Sequence, residues 1–285
     1  MSFSHLYLFS DIDGTLGMAG VGIPARNYDA IRRFVRGGGH FGLCTGRWVT
    51  DITHFIRGLP INGISIINNG AALYDTPNKK VISSVALPDQ AVDYAREIAA
   101  LDPRIQVLGA NEAGYALLSR DKSGETASRA SRASRALGCK LPVVRYEELK
   151  GPYLKFLFDC PLSCREELIA AARAMGHPGV YYTWSGSTFE MIPEGISKGT
   201  GLLEFCHLYS VPLENTIFIG DNYNDREMFM TAGFSACVRD TPRDLRELCR
   251  METGECLNGA VADLIEWIEA HPEAFPKKRL SMTGN

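Results

Sequence analysis

An α/β fold, with a parallel sheet at its centre and a second α/β unit inserted into it, is predicted by three features of the chain. Short apolar runs end abruptly in polar loops, helical patterns follow them, and the alternation breaks off in the middle third and returns towards the C-terminus. The first run, HLYLFS, stops at Asp11, Asp13, Gly14 and Thr15, as a buried parallel strand does where it feeds a functional loop. Pro24 then opens a helical pattern through Tyr28, Ile31, Phe34 and Val35, and Gly37, Gly38 and Gly39 close it. HFGLCTGR repeats the strand-to-loop pattern. A further helix through about Arg57 leads to ISIINNGA, read as the third core strand.

From about Val81 to Met191 the texture changes. Six short strand candidates (VISSVAL, IQVLGA, YALLSR, YLKFLF, VYYTW and STFEMI) surround two or three helices in mixed order. We assign residues 84–192 to an inserted domain, leaving 1–83 and 193–285 to build one discontinuous core. The alternation resumes with the helix KGTGLLEFCHLYS, the strand TIFIGD, the helix NDREMFMTA, the strand SACV and the helix VADLIEWIEA.

Composition narrows the function classes. The 285 residues are 45% hydrophobic and 22% charged, with a net charge of -3 and a pI near 6.1, so nothing in the bulk charge draws the chain to nucleic acid or an anionic membrane. No apolar run approaches the roughly 20 residues that span a bilayer, and the start lacks a basic leader pattern. The eight cysteines are scattered, and the one close pair, Cys160 and Cys164, lacks a second pair to complete a zinc site. These features predict a soluble, cytoplasmic protein with reduced thiols. The tract Ser128 to Ala136, with arginines at three-residue spacing, reads as a solvated helix face.

The chemistry concentrates in Asp11-Ile12-Asp13-Gly14-Thr15. Two carboxylates two positions apart on an extended stretch reach one cleft, where one can act as nucleophile and the other as general acid and base. The same pair can bind a hard cation. This motif resembles that of the haloacid dehalogenase superfamily, and the family's other motifs follow in order: Thr45 and Gly46 in LCTGR, Lys198 in ISKG, and Asp221 and Asp225 in GDNYND. The insertion after the third strand, the NNGA and ISKG stretches and the final NGAVADLIEWI resemble the Cof-type branch of sugar-phosphate phosphatases. One stretch departs from that pattern: SACVRDTPRDL carries Arg239 and Asp240 where small residues are usual, which raises the question of local packing.

The resemblance implies a Rossmann-like core with an α/β cap, and a phosphatase acting on a small phosphorylated metabolite. Asp11 would be the nucleophile and Asp13 the acid and base. Ile12 (through its backbone), Thr45, Gly46, Lys198 and Asn224 would cradle the phosphoryl group, and Mg2+ would be bound by Asp11, Asp13, Asp221 and Asp225. Asp13 would contribute its backbone carbonyl, and Asp225 either a water-mediated contact or a hold on Lys198. Arg47 and Asn69 are further candidates at strand ends, and Tyr115, Lys155, Asp159, Trp184, Ser185 and Ser187 are cap candidates for the leaving group. A sugar phosphomutase is the alternative reading, because it shares the carboxylate pair, the cap and the metal. A non-catalytic phospholigand-binding protein comes third, since both Asp11 and Asp13 are intact.

Overall fold

A computed structural model describes residues 2–48, 55–112, 114–119, 142–145, 148, 151–160, 162–185 and 188–275. The arginine-rich tract, the segment 49–54, Cys139 and Ser187 fall outside the described residues. The chain forms strands β1 (Tyr7–Ser10), β2 (His40–Leu43), β3 (Ile64–Ile67), β4 (Ala72–Asp75), β5 (Lys80–Ser84), β6 (Gln106–Asn111) and β7 (Gly114–Ser119). These are followed by β8 (Val143–Arg145), β9 (Lys155–Asp159), β10 (Val180–Ser185), β11 (Thr188–Pro193), β12 (Thr216–Gly220), β13 (Phe234–Cys237) and β14 (Met251–Glu252). The described helices are α1 (Ala25–Arg36), α2 (Ala91–Ala100), α3 (Arg165–Ala174), α4 (Lys198–Tyr209), α5 (Arg226–Thr231), α6 (Arg243–Arg246) and α7 (Ala260–Ala270).

The core sheet runs β14-β13-β12-β1-β2, and every pair in it is parallel. Because side chains alternate across a strand, each strand feeds two cores. Leu8, Phe41, Leu43, Ile217 and Ile219 pack with α1 and α7 on one face, and Phe9 and Phe218 pack with Leu202, Phe205 and Phe229 on the other. On the first face, Arg26 pairs with Asp263 and Glu266, and Arg33 with Glu269, fastening α1 to α7 at the surface. The strand β14, two residues long, carries too little pattern to be found from sequence.

The segment ISIINNGA is not one strand. Strand β3 sits beside β2 through the parallel bridge Cys44–Ile66, but it ends at Ile67. Asn68, Asn69 and Gly70 then turn through left-handed backbone conformations (φ 56°, 56° and 93°), and β4 returns antiparallel to β3, with β5 antiparallel beyond it. Asparagine and glycine tolerate this region where most residues do not. At Gly70 the turn also presses on the start of α4, so closely that a Cβ would collide with the Ser197 carbonyl. Gly70→Ala is expected to cost at least about 2 kcal/mol of stability in urea unfolding; an unchanged midpoint would show that the turn and the helix start can part freely.

The inserted cap is a six-stranded sheet of order β10-β11-β9-β6-β7-β8, antiparallel except for β7 with β8. Val107, Phe156, Phe158, Phe189 and Met191 on its outer face pack under α2 and α3. Half of its inner face is apolar: Leu108, Ala110, Tyr115, Leu117 and Leu157 close onto Trp48, Ile67 and Tyr74 of the core. Arg239 and Asp240 stand exposed in the turn after β13, so this departure leaves the core packing intact.

Candidate active site

Register places the site. Ser10 lies level with Leu43 on one side and with Ile219 on the other, so the segments leaving β1, β2 and β12 emerge together at one edge of the sheet. Those segments carry Asp11, Thr45 and Asp221. Ligands of open α/β sheets bind at this carboxyl edge, where the connections diverge to opposite faces. Lys198 arrives from the first turn of α4, whose start is fixed by a capping box between Ser197 and Thr200.

Lys198 is fully buried and donates to Asp11 Oδ1 at 2.7 Å and to Asp225 Oδ1 at 2.5 Å. The other Asp225 oxygen accepts from the backbone amides of Asp221 and Asn222 at 2.9 and 3.0 Å. Thr15 donates to Asp221 Oδ1 at 2.6 Å, and Gly14 leaves the space that Asp221 fills, since a Cβ there would meet its carboxylate. The last two residues of the first motif therefore serve the fourth: glycine admits Asp221 and threonine orients it.

Three carboxylates around one ammonium are short of positive charge. Burial, with the lysine opposing and Asp225 and Asp221 adding to it, raises the Asp11 carboxyl well above its ordinary range. Burial and then Asp225 push Asp221 up to about 6. Burial pulls Lys198 down, yet the adjoining Asp11 and Asp225 outweigh it and hold the ammonium above its usual range. Asp11, Asp221 and Asp225 each offer an oxygen within 4.8 Å of the others, an all-oxygen, anion-rich set of the kind that suits a hard divalent cation. Asp11 and Asp221 each keep one carboxylate oxygen that these hydrogen bonds leave unengaged. Both Asp225 oxygens are already engaged, so its position favours holding Lys198 and the turn.

The Asp13 carboxylate stands apart from the cluster. Arg47 grips it with two hydrogen bonds, at 2.7 and 2.5 Å, and about half of its side-chain surface is exposed. The Ile12 side chain is sunk in the core and anchors the loop between the two aspartates. Thr45 is buried beside Gly46, and its hydroxyl accepts from the Arg47 amide. Asn224 donates to Asn69, which in turn donates to Glu190 of the cap at 2.9 Å. Lys155 reaches down from β9 to the Gly46 carbonyl at 2.7 Å and pairs with Glu190 at 3.4 Å.

Of the cap candidates, Lys155 and Tyr115 face the core, whereas Asp159 is exposed at the far end of β9 and only the backbone of Ser185 is described. Trp184 borders the cleft from beside the cap core. Glu190 was not among the residues singled out from sequence. Its signal is the strand period: β11 alternates Phe189 and Met191 into the cap core with Glu190 and Ile192 towards the catalytic domain.

The model of the family described as haloacid dehalogenase-like hydrolase matches residues 8–265, a span that holds every member of the cluster. The chain belongs to this family. It is 24% identical over 277 residues to the 5-amino-6-(5-phospho-D-ribitylamino)uracil phosphatase YwtE of Bacillus subtilis, covering 90% of this chain and 95% of that one. It is also 24% identical over 268 residues to the HMP-PP phosphatase of Yersinia enterocolitica, covering 91% and 94%. A haloacid dehalogenase-like hydrolase from Bacteroides thetaiotaomicron shares the fold, with a TM-score of 0.79 at 20% identity over 93% of this chain and 99% of that one. The chain is thus a hydrolase, and the family match together with its phosphatase relatives supports phosphatase activity. No described helix is long and apolar enough to cross a membrane.

Proposed function

We propose that this hydrolase is a magnesium-dependent phosphatase that cleaves a small phosphorylated metabolite, a sugar phosphate or a related compound, through an aspartyl phosphate on Asp11. The observation that carries the reading is the Asp11 carboxylate at the end of the central strand, held by Lys198 at 2.7 Å within a three-carboxylate cluster. An Asp11 oxygen attacks phosphorus, the bond to the leaving oxygen breaks, and Asp13 supplies that oxygen with a proton. Asp13 then takes a proton from water, which attacks phosphorus, freeing Asp11 and inorganic phosphate.

Both Asp13 oxygens accept hydrogen bonds from Arg47, so Arg47 releases at least one of them before Asp13 meets the leaving oxygen. Lys198, the Thr45 hydroxyl, the amides of Ile12 and Gly46 and the Asn224 side chain surround the transferring group with donors. A bound divalent cation supplies the charge neutralisation that lets two anions meet. Asp11 and Asp221 would hold it through their carboxylates and Asp13 through its backbone carbonyl, with Asp225 behind them.

Chelation is expected to abolish phosphate release from an activated aryl phosphate, and millimolar Mg2+ to restore it. The same ion is expected to raise the melting temperature of the wild type by several degrees, as saturating ligands do, and to have a much smaller effect on Asp221→Asn. Full turnover in excess chelator, or equal thermal shifts in both proteins, would remove magnesium from this account. Glucose 1-phosphate with a bisphosphate activator separates the mutase reading, which requires phosphoryl return to the sugar in place of free phosphate.

A further inference from the structure

The cap meets the core through two kinds of contact. Part of the interface is apolar, with Leu108, Leu117 and Leu157 packed on Trp48 and Tyr74. Beside it lies a buried ion pair, Lys155 of β9 with Glu190 of β11 at 3.4 Å, their side chains 2% and 4% exposed. Replacing such a pair by well-packed apolar residues is commonly neutral or stabilising, because burial strips both charges of water. Adhesion therefore does not call for these charges. What apolar side chains cannot supply is direction, and both residues aim their polar atoms at the core.

Lys155 donates to the Gly46 carbonyl at 2.7 Å. That carbonyl belongs to the Gly46–Arg47 peptide, whose N–H points the opposite way across a planar trans unit and donates to the Thr45 hydroxyl at 3.1 Å. A hydroxyl that accepts there keeps its one proton for another acceptor. The lysine thus acts on Thr45 through a rigid peptide. Glu190 works from the other side: its Oε2 accepts from Asn69 Nδ2 at 2.9 Å, and Asn69 Oδ1 accepts from Asn224 Nδ2 at 3.1 Å. Because a carboxylate only accepts, it draws the nitrogen of the Asn69 amide to itself and turns the oxygen to Asn224. The two arms close on each other, since a Cβ on Gly46 would come within 2.9 Å of Asn69 Oδ1. Two cap side chains thereby grip the segments that follow β2, β3 and β12, and the first and last of these leave the same sheet edge as Asp11.

Building on the phosphatase reading above, in which Thr45, Gly46 and Asn224 hold the transferring group, we infer that Lys155 and Glu190 are positioning residues: the docked cap sets those donors through the Gly46 carbonyl and the Asn69 amide. The test uses Lys155→Met, Glu190→Leu and the double variant carrying both, beside Leu117→Ala, which loosens the same interface without touching the pair. The double variant leaves neither charge unpaired, so its result does not depend on the folding defect a single change can cause. All three are expected to lower kcat/KM for acetyl phosphate and for an aryl phosphate by one common factor, about 10- to 100-fold, because the displaced donors face the phosphoryl group and not the leaving group. Inhibition by inorganic phosphate is expected to weaken by about tenfold alongside. Leu117→Ala is expected to lose stability in urea and to keep kcat/KM per folded molecule within about twofold of wild type. A double variant as active as wild type, losses that differ between the two substrates, undiminished phosphate inhibition, or an equal loss in Leu117→Ala overturns the inference. If the wild type hydrolyses neither substrate, or Asp11→Asn hydrolyses them as well as wild type, the phosphatase reading beneath it falls instead.

Discussion

Asp11→Asn loses at least roughly 10^4-fold in kcat on any phosphomonoester, because an amide nitrogen or oxygen cannot form the phosphoryl-enzyme bond. The loss is not one of folding. Burial and the neighbouring aspartates raise the Asp11 carboxyl well above its ordinary value of 3.8, so its charge disfavours the metal-free folded state wherever the unfolded chain would ionise it. A neutral asparagine removes that penalty. The metal-free variant is therefore expected to melt no lower than wild type at pH 7, with an advantage that shrinks to nothing as the pH falls below about 4 and the acid is protonated in both states. Melting curves across pH, beside single-turnover phosphate release, check both halves. A variant that is inactive because it is unfolded leaves the nucleophile assignment without support, and one that turns over at the wild-type rate refutes it.

Lys198→Met couples function and stability in the opposite way. The ammonium is fully buried between Asp11 and Asp225, and methionine fills most of its volume without its charge. Removing one partner of a buried ion pair costs about 3–5 kcal/mol, since the remaining charge stays uncompensated. Three carboxylates then face one another with no cation among them. The expected result is a protein several kcal/mol weaker in urea unfolding, with turnover down by roughly 10^2-fold or more for want of a charge on the transferring phosphoryl group. Saturating Mg2+ is expected to recover much of the stability and little of the rate, because an ion among the carboxylates relieves their repulsion but cannot stand where, on the proposed mechanism, the lysine Nζ would meet phosphate. Recovery of both together would assign Lys198 to charge balance alone.

The two cap residues Lys155 and Glu190 give these core residues a further dependence. Both are buried, and their bonds to the Gly46 carbonyl and to Asn69 end on the segments that follow β2 and β3. The shape of those segments thus depends on a domain more than a hundred residues away from Gly46 in sequence, a coupling that no local pattern carries.

By itself, the sequence determined the parts whose physics is local. Apolar runs ending in Asp11, Thr45 and Asp221 marked the strands of a parallel sheet and their functional ends, because a buried strand needs an unbroken run and a loop needs polar residues. Spacing made Asp11 and Asp13 a candidate pair. The family resemblance of the later motifs pointed to Lys198 and Asp225, and the change of texture from about Val81 pointed to an insertion.

Tertiary structure alone decided the rest. It turned Asn68-Asn69-Gly70 back on itself through left-handed conformations, and it turned the Asp13 carboxylate from the cluster to Arg47. It gave Gly14 and Thr15 to Asp221, tied Glu190 of the cap to Asn69, and placed Tyr181 and Tyr223 around one cleft. The physical reason is sequence distance: which carboxylate a buried lysine meets, and which side chains line a cleft, depends on sheet register and domain packing, and neither is written within any short stretch of chain.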